Sequence, residues 1–175
     1  MFKEFDMLKL FFEEPNREFS VREVARLVKV SPATASKQLN ELVEKDILKE
    51  RKERIFNLFK ANLESYNYKD LKVYYSIRRL RESGLIDAIN KRFLKPTIVL
   101  FGSISNGLDT ETSDIDIAII SEFHDLEFPE IKEFEKRLNR RIQIFSFHDK
   151  MDIKNEHLTN NILNGIVLQG SIKWI

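Results

Sequence analysis

Cysteine is missing from all 175 residues. That excludes disulfides, thiol nucleophiles and any zinc site built on thiolates. Glycine and proline are scarce, at five and four, so each one marks a place where the backbone needs it. No apolar run approaches the length that crosses a bilayer. The first residues, MFKEFDMLKLFFEEP, mix acids into the apolar run, unlike a secretory leader. The composition therefore predicts a cytoplasmic protein with no membrane partner. The three histidines (His124, His148, His157) lack ligand spacing, and the single tryptophan, Trp174, reads as a packing anchor.

A strong overall charge is also lacking, since the formal net is +1. The balance hides an asymmetry. Residues 1–95 hold 21 Lys+Arg against 15 Asp+Glu, giving +6, and residues 96–175 hold 8 against 13, giving −5. A basic front and an acidic back suggest two modules with different partners.

Helical periodicity dominates the first 62 residues. Phe5, Leu8 and Phe12 predict a helix that stops at Pro15-Asn16. Ser20 with Glu23 three residues on forms a capping box for a second helix. Ser31-Pro32 opens a third as N-cap and first helical residue, with Ala35, Leu39, Leu42 and Val43 facing inward. Ile47-Leu48 and Ile55 to Phe59 read as strands around a charged tip, Lys49 to Arg54. Two stripes, Val73-Ile77-Leu80 and Ile86-Ile89-Phe93, predict connecting helices split at Ser83-Gly84. Arg78, Arg79 and Arg81 crowd the first of them, either to steer a polyanion or to solvate the helix.

Chemistry concentrates in Phe101 to Ile120, FGSISNGLDTETSDIDIAII. An apolar strand breaks at Gly102-Ser103, and a second carries Asp114 and Asp116. Residues two apart on a strand share a face, so both carboxylates project together while Ile115 and Ile117 enter the core. Two adjacent carboxylates repel unless a cation sits between them, and Mg²⁺ with oxygen ligands suits the pair. The glycine lets backbone N–H groups approach a phosphate, and the serine hydroxyl adds a donor. Downstream, Pro129–Leu138 reads as a helix, Arg140–Phe147 as a strand, Glu156–Asn164 as a helix and Ile166–Leu168 as a last apolar piece. Helices packed on a mixed sheet, an α+β arrangement, follow from that order.

Gly-Ser, ten intervening residues, then Asp-x-Asp resembles the signature of the nucleotidyltransferase superfamily, in particular its minimal members. The resemblance implies that Gly102 and Ser103, with Ser113 just before the acids, bind the phosphates of an NTP, ATP for preference. It implies that Asp114 and Asp116 are catalytic and hold Mg²⁺. A nucleotidyl group, AMP foremost, would pass to a hydroxyl acceptor. The family's third carboxylate belongs on the Arg140–Phe147 strand, where Gln143 stands instead. Asp149, Asp152 and Glu156 lie beyond that strand, and Ile104 and Asn106 replace the basic residue common after the turn.

Residues 1–62, with SVREVARLVKVSPATASKQLNELVEKDILKE at their centre, are similar to winged helix-turn-helix DNA-binding domains. Ser36, Lys37 and Gln38 would then face DNA from the third helix, with Arg51, Lys52 and Arg54 from the wing. Winged helices also serve as dimerisation or protein-docking modules. The expected organisation is a winged helix at 1–62, connecting helices at 63–95 and a nucleotidyltransferase-like domain at 96–175, assembled as a homodimer. Three functions stay open: an enzyme, a catalytically inactive nucleotide-sensing transcriptional regulator, and a protein-docking adaptor.

Overall fold

The computed structural model describes residues 2–54, 56–123 and 127–172. Ile55, His124 and Trp174 lie outside the described residues, as does the side chain of Phe5. The chain divides into two compact units, Met1–Lys72 and Val73–Ile175.

In the first unit, α1 (Phe2–Glu13) ends before Pro15 and is followed by a short strand, β1 (Phe19–Ser20). Ser20 caps α2 (Val21–Leu27) by accepting a bond from the Glu23 N–H at 3.3 Å. The expected capping box is half made, because the Glu23 carboxylate turns to Arg17 instead. Lys29, at φ 56°, closes that helix in the left-handed region. Ser31 caps α3 (Pro32–Glu44) through the Thr34 N–H at 3.1 Å. β2 (Leu48–Glu53) and β3 (Phe56–Ala61) then pair antiparallel along their whole length, giving a sheet ordered β1-β3-β2.

Lys49 to Glu53 is therefore strand rather than a charged tip, and the chain reverses at Arg54, where φ is 54°. Only Leu48 of β2 is buried, so the strand is a charged edge of the kind that resists further pairing. Beneath it, Met7, Phe11, Phe12, Phe19, Leu39, Phe59 and Tyr68 form the core. Phe11 meets Phe19 edge-on at 5.1 Å, and the Tyr68 hydroxyl donates to the Phe11 carbonyl at 2.9 Å.

α4 (Tyr66–Glu82) spans the boundary between the units, and α5 (Leu85–Arg92) follows a break at Gly84, φ 82°. The second unit continues as β4 (Thr97–Phe101), β5 (Ile115–Ile120), α6 (Ile131–Leu138), β6 (Ile142–Phe147), α7 (Glu156–Leu163) and β7 (Ile166–Gln169). Its sheet runs β6-β5-β4-β7 and is mixed: β5 and β6 are parallel, while β4 pairs antiparallel with β5 and β7. One sheet face sends Ile98, Leu100, Ile115, Ile117, Ile119 and Ile142 against Leu85, Ile86 and Ile89 of α5 and Phe134 and Leu138 of α6. The other sends Val99, Phe101 and Ala118 against Ile162 of α7. The last turn of α4 and all of α5 thus belong to the core under the sheet. Among the described residues, no helix is long and apolar enough to cross a membrane.

Candidate functional site

Alternation along β5 divides the strand as expected. Ile115, Ile117 and Ile119 enter the α5/α6 core, which leaves Asp114, Asp116 and Ala118 on the opposite face. Cross-strand register puts Phe101 of β4 and Gln143 of β6 on either side of Asp116. Both carboxylates are partly buried.

The backbone after β4 comes directly against this pair. Gly102 has φ 76°, and a Cβ placed on it would lie 2.4 Å from Asp116 Oδ2. Only glycine satisfies both the left-handed conformation and the close approach. Ser103 then opens a short 3-10 turn, Ile104–Asn106. Its hydroxyl makes no hydrogen bond among the described residues, so it is available as a donor. The absent basic residue has a local explanation. Ile104 is buried as an anchor, and the Asn106 amide donates to the Gly102 carbonyl at 3.1 Å, joined there by the Ser105 hydroxyl at 2.8 Å. Both positions build the turn.

Burial raises the pKa of Asp116, and the charge of Asp114 raises it further. The Gln143 side-chain amide donates from Nε2 to Asp114 Oδ2. A neutral amide thus relieves part of the repulsion where a third carboxylate would add to it. Asp149 and Asp152 are engaged in a turn just beyond β6. Asp149 accepts from the Met151 N–H at 2.6 Å and Asp152 from the Asp149 N–H at 3.3 Å, within their own turn. No group of three or more carboxylate or histidine side chains is placed to share an ion among the described residues. His148 and His157 are exposed.

Ser113 is half-buried and closes a turn, its hydroxyl accepting the Thr110 N–H at 2.9 Å. Sequence reasoning missed the group that holds this loop. Arg140 donates to the Asp109 carboxylate and to the Thr110 and Ser113 carbonyls, the last at 3.1 Å. Asp109 is only 2% exposed. In sequence it is one acid in a polar loop, and nothing local signals its burial.

The residues assigned to a DNA face lie on two elements. On α3, Lys37 is exposed and reaches Glu41 at 4.0 Å, while Ser36 and Gln38 are half-buried. Three consecutive helical residues spread around the helix, so they do not present one face. On β2, Arg51 is committed to Glu18 (2.9 and 2.6 Å) and to Glu53 (2.8 Å). Those bonds push its pKa up and hold Glu18 down. Lys52 and Arg54 are exposed and form no ion pair among the described residues.

Residues 82–168, from the end of α4 into β7, match the family model of the nucleotidyltransferase domain. No curated protein matches the chain.

Proposed function

Taking residues 82–168 as a nucleotidyltransferase domain, we propose that the second unit binds a magnesium–NTP complex and transfers its nucleotidyl group to a hydroxyl acceptor. ATP is the preferred donor and AMP the group transferred. One observation carries the reading: the Gly102 backbone lies against Asp116, so the Gly102-Ser103 turn sits beside the carboxylate pair. Asp114 and Asp116 fit a divalent ion. Their mutual repulsion and the raised pKa of Asp116 leave the pair short of positive charge, which Gln143 offsets only in part. When bound, the ion would polarise the phosphoryl oxygens and neutralise developing charge.

The chain's own groups do the positioning. N–H groups around Gly102 and the Ser103 hydroxyl orient the phosphates. The acceptor oxygen bonds to the α-phosphorus as the bond to the β-phosphate bridge breaks and pyrophosphate leaves. Its proton goes to solvent, since Gln143 has no basic oxygen to take it.

Gln143 also favours a second reading, a nucleotide-sensing regulator without turnover. The order α1–β1–α2–α3–β2–β3 supports the winged helix-turn-helix reading of the first unit, and with it an association with DNA. Incubation with α-labelled ATP and Mg²⁺, alone and with cell extract, separates the readings. Label transfer by wild type, absent in Asp114→Asn/Asp116→Asn, supports the enzyme. Nucleotide binding by calorimetry with no label transfer supports the sensor. Neither result for any NTP defeats both.

A further inference from the structure

We propose that Arg140 is a positioning residue of this site: it clamps the 109–113 loop and so fixes Asp114 beside Asp116. The inference rests on the reading that these two acids hold a cation and nucleotide.

Between β4 and β5 the chain makes a long polar excursion with little regular structure. Its first part is held by the turn after Gly102, including a bond from the Leu108 N–H to the Ser103 carbonyl at 3.0 Å. Its second part is held from outside. The Arg140 guanidinium reaches three acceptors there: the Asp109 carboxylate and the carbonyls of Thr110 and Ser113. The Ser113 carbonyl belongs to the peptide that leads into Asp114, so this bond sets the plane from which Asp114 departs. On the far side of Asp114, the Ile115 N–H donates to the Arg141 carbonyl at 2.9 Å. Asp114 is therefore bracketed on both sides by residues 140 and 141.

Arg140 is itself fixed. Asn139, in the left-handed region at φ 51°, ends α6 and bonds back to Glu135 and Lys136, and α6 is seated by Phe134 and Leu138. The Arg140 side chain is 13% exposed, and its Asp109 partner is buried. A planar fork serves several acceptors in fixed directions, and an ammonium group does not. Lysine at this position would keep the charge and lose the geometry.

The test uses the full chain and the variant Arg140→Lys, read three ways. Thermal melting reports folding. Amide hydrogen exchange at Ile115, whose N–H donates to the Arg141 carbonyl, reports the order of this segment without any ligand. Calorimetry with Mn²⁺ and ATP reports the site. Arg140→Lys is expected to melt within about 5 °C of wild type. Exchange at Ile115 should quicken about tenfold or more, while exchange within β4 should not change. Mn²⁺ affinity in the presence of ATP should drop about tenfold or more. ATP binding without divalent ion should not change. An Ile115 exchange rate and an Mn²⁺ affinity both equal to wild type would overturn the proposal. If wild type binds no Mn·ATP, the nucleotide reading fails by itself. The clamp is then decided by the exchange: a faster rate at Ile115 upholds it and no change overturns it. If Arg140→Lys does not fold, Asp109→Asn replaces it. That variant leaves both carbonyl bonds and should give a smaller acceleration in the same direction, and no acceleration would again overturn the proposal.

Discussion

Asp116 is where the chemistry and the stability of the chain pull against each other. Its carboxyl has a raised pKa, from burial first and from Asp114 second. The folded value therefore lies above the unfolded one. At pH above the folded value the group is charged in both states, and the fold bears the burial and the repulsion. As pH falls through the folded value, the folded state takes up the proton first and that penalty is released. Glu135 has the opposite sign, held down by the Ile142 N–H and then Lys132, so its contribution is lost in acid. We predict that Asp116→Asn stabilises the metal-free chain at pH 7 by ~1 kcal/mol, a gain typical of relieving a functional site. The gain should shrink toward acidic pH in urea unfolding curves. Divalent ions should stabilise wild type and leave the variant unchanged. Gln143 supplies the complementary test. Gln143→Glu adds a third carboxylate at the register position of Asp116. It should destabilise the metal-free protein, tighten Mn²⁺ binding, and raise label transfer from ATP by on the order of tenfold or more if the missing acid limits turnover. A second bound ion with no gain in rate would remove the acid as the explanation. Placement that follows from local pattern was legible in sequence: Gly102 at the turn, Asp114 and Asp116 on one face of β5, and Gln143 in place of an acid on β6. Arg140 and Asp109 were not, because their pairing joins positions 31 apart through burial that no periodicity records.

At the scale of elements, stripes and caps carried most of the fold. Ser31-Pro32 starts α3 as its capping chemistry dictates, and Gly84 ends the α4 segment at the break the stripes imply. β1 escaped because two residues show no period, and the β2 charges read as a tip because every one of them points to solvent on an edge strand. Sheet order was beyond the sequence as well. Whether β6 lies beside β5 depends on a parallel crossover through α6, a non-local choice. Gly165 shows how tightly the second layer is set. A Cβ there would sit 2.7 Å from the Leu100 carbonyl oxygen, 2.8 Å from Val99 Cγ1 and 3.0 Å from the Ile162 carbonyl oxygen. Two of these are backbone atoms that cannot rotate away, so the α7–β7 corner must lift from β4. Gly165→Ala should cost about 2 kcal/mol, within the range for overpacking. Denaturant unfolding checks it. A cost below about 0.5 kcal/mol, the level of an ordinary surface change, would mean that the corner yields freely.

For the whole molecule, the structural boundary redistributes the charge asymmetry. Residues 1–72 hold 15 Lys+Arg against 13 Asp+Glu, only +2, and residues 73–175 hold 14 against 15, or −1. Most of the basic excess counted over residues 1–95 lies in residues 73–95. Several of those cations have structural work within the second unit. Arg79 donates to the Leu138 carbonyl at 2.8 Å, Arg92 to the Glu127 carbonyl at 3.0 Å, and Arg78 pairs with Glu82. In the first unit, Arg17, Lys49 and Arg51 are likewise held by carboxylates. The winged-helix reading must therefore rest on a few free cations, with Lys52 and Arg54 beside the hairpin turn foremost. Duplex binding followed by fluorescence anisotropy should be weak and steeply weakened by salt. Lys52→Ala/Arg54→Ala should flatten the slope of log affinity against log salt by about 2, near one for each phosphate no longer neutralised. Arg51→Ala should leave the slope close to wild type, because Glu18 and Glu53 already occupy its guanidinium. A slope that drops with Arg51→Ala and not with the double variant would assign the phosphate to the paired arginine. It would also require Glu18 and Glu53 to release it when DNA binds.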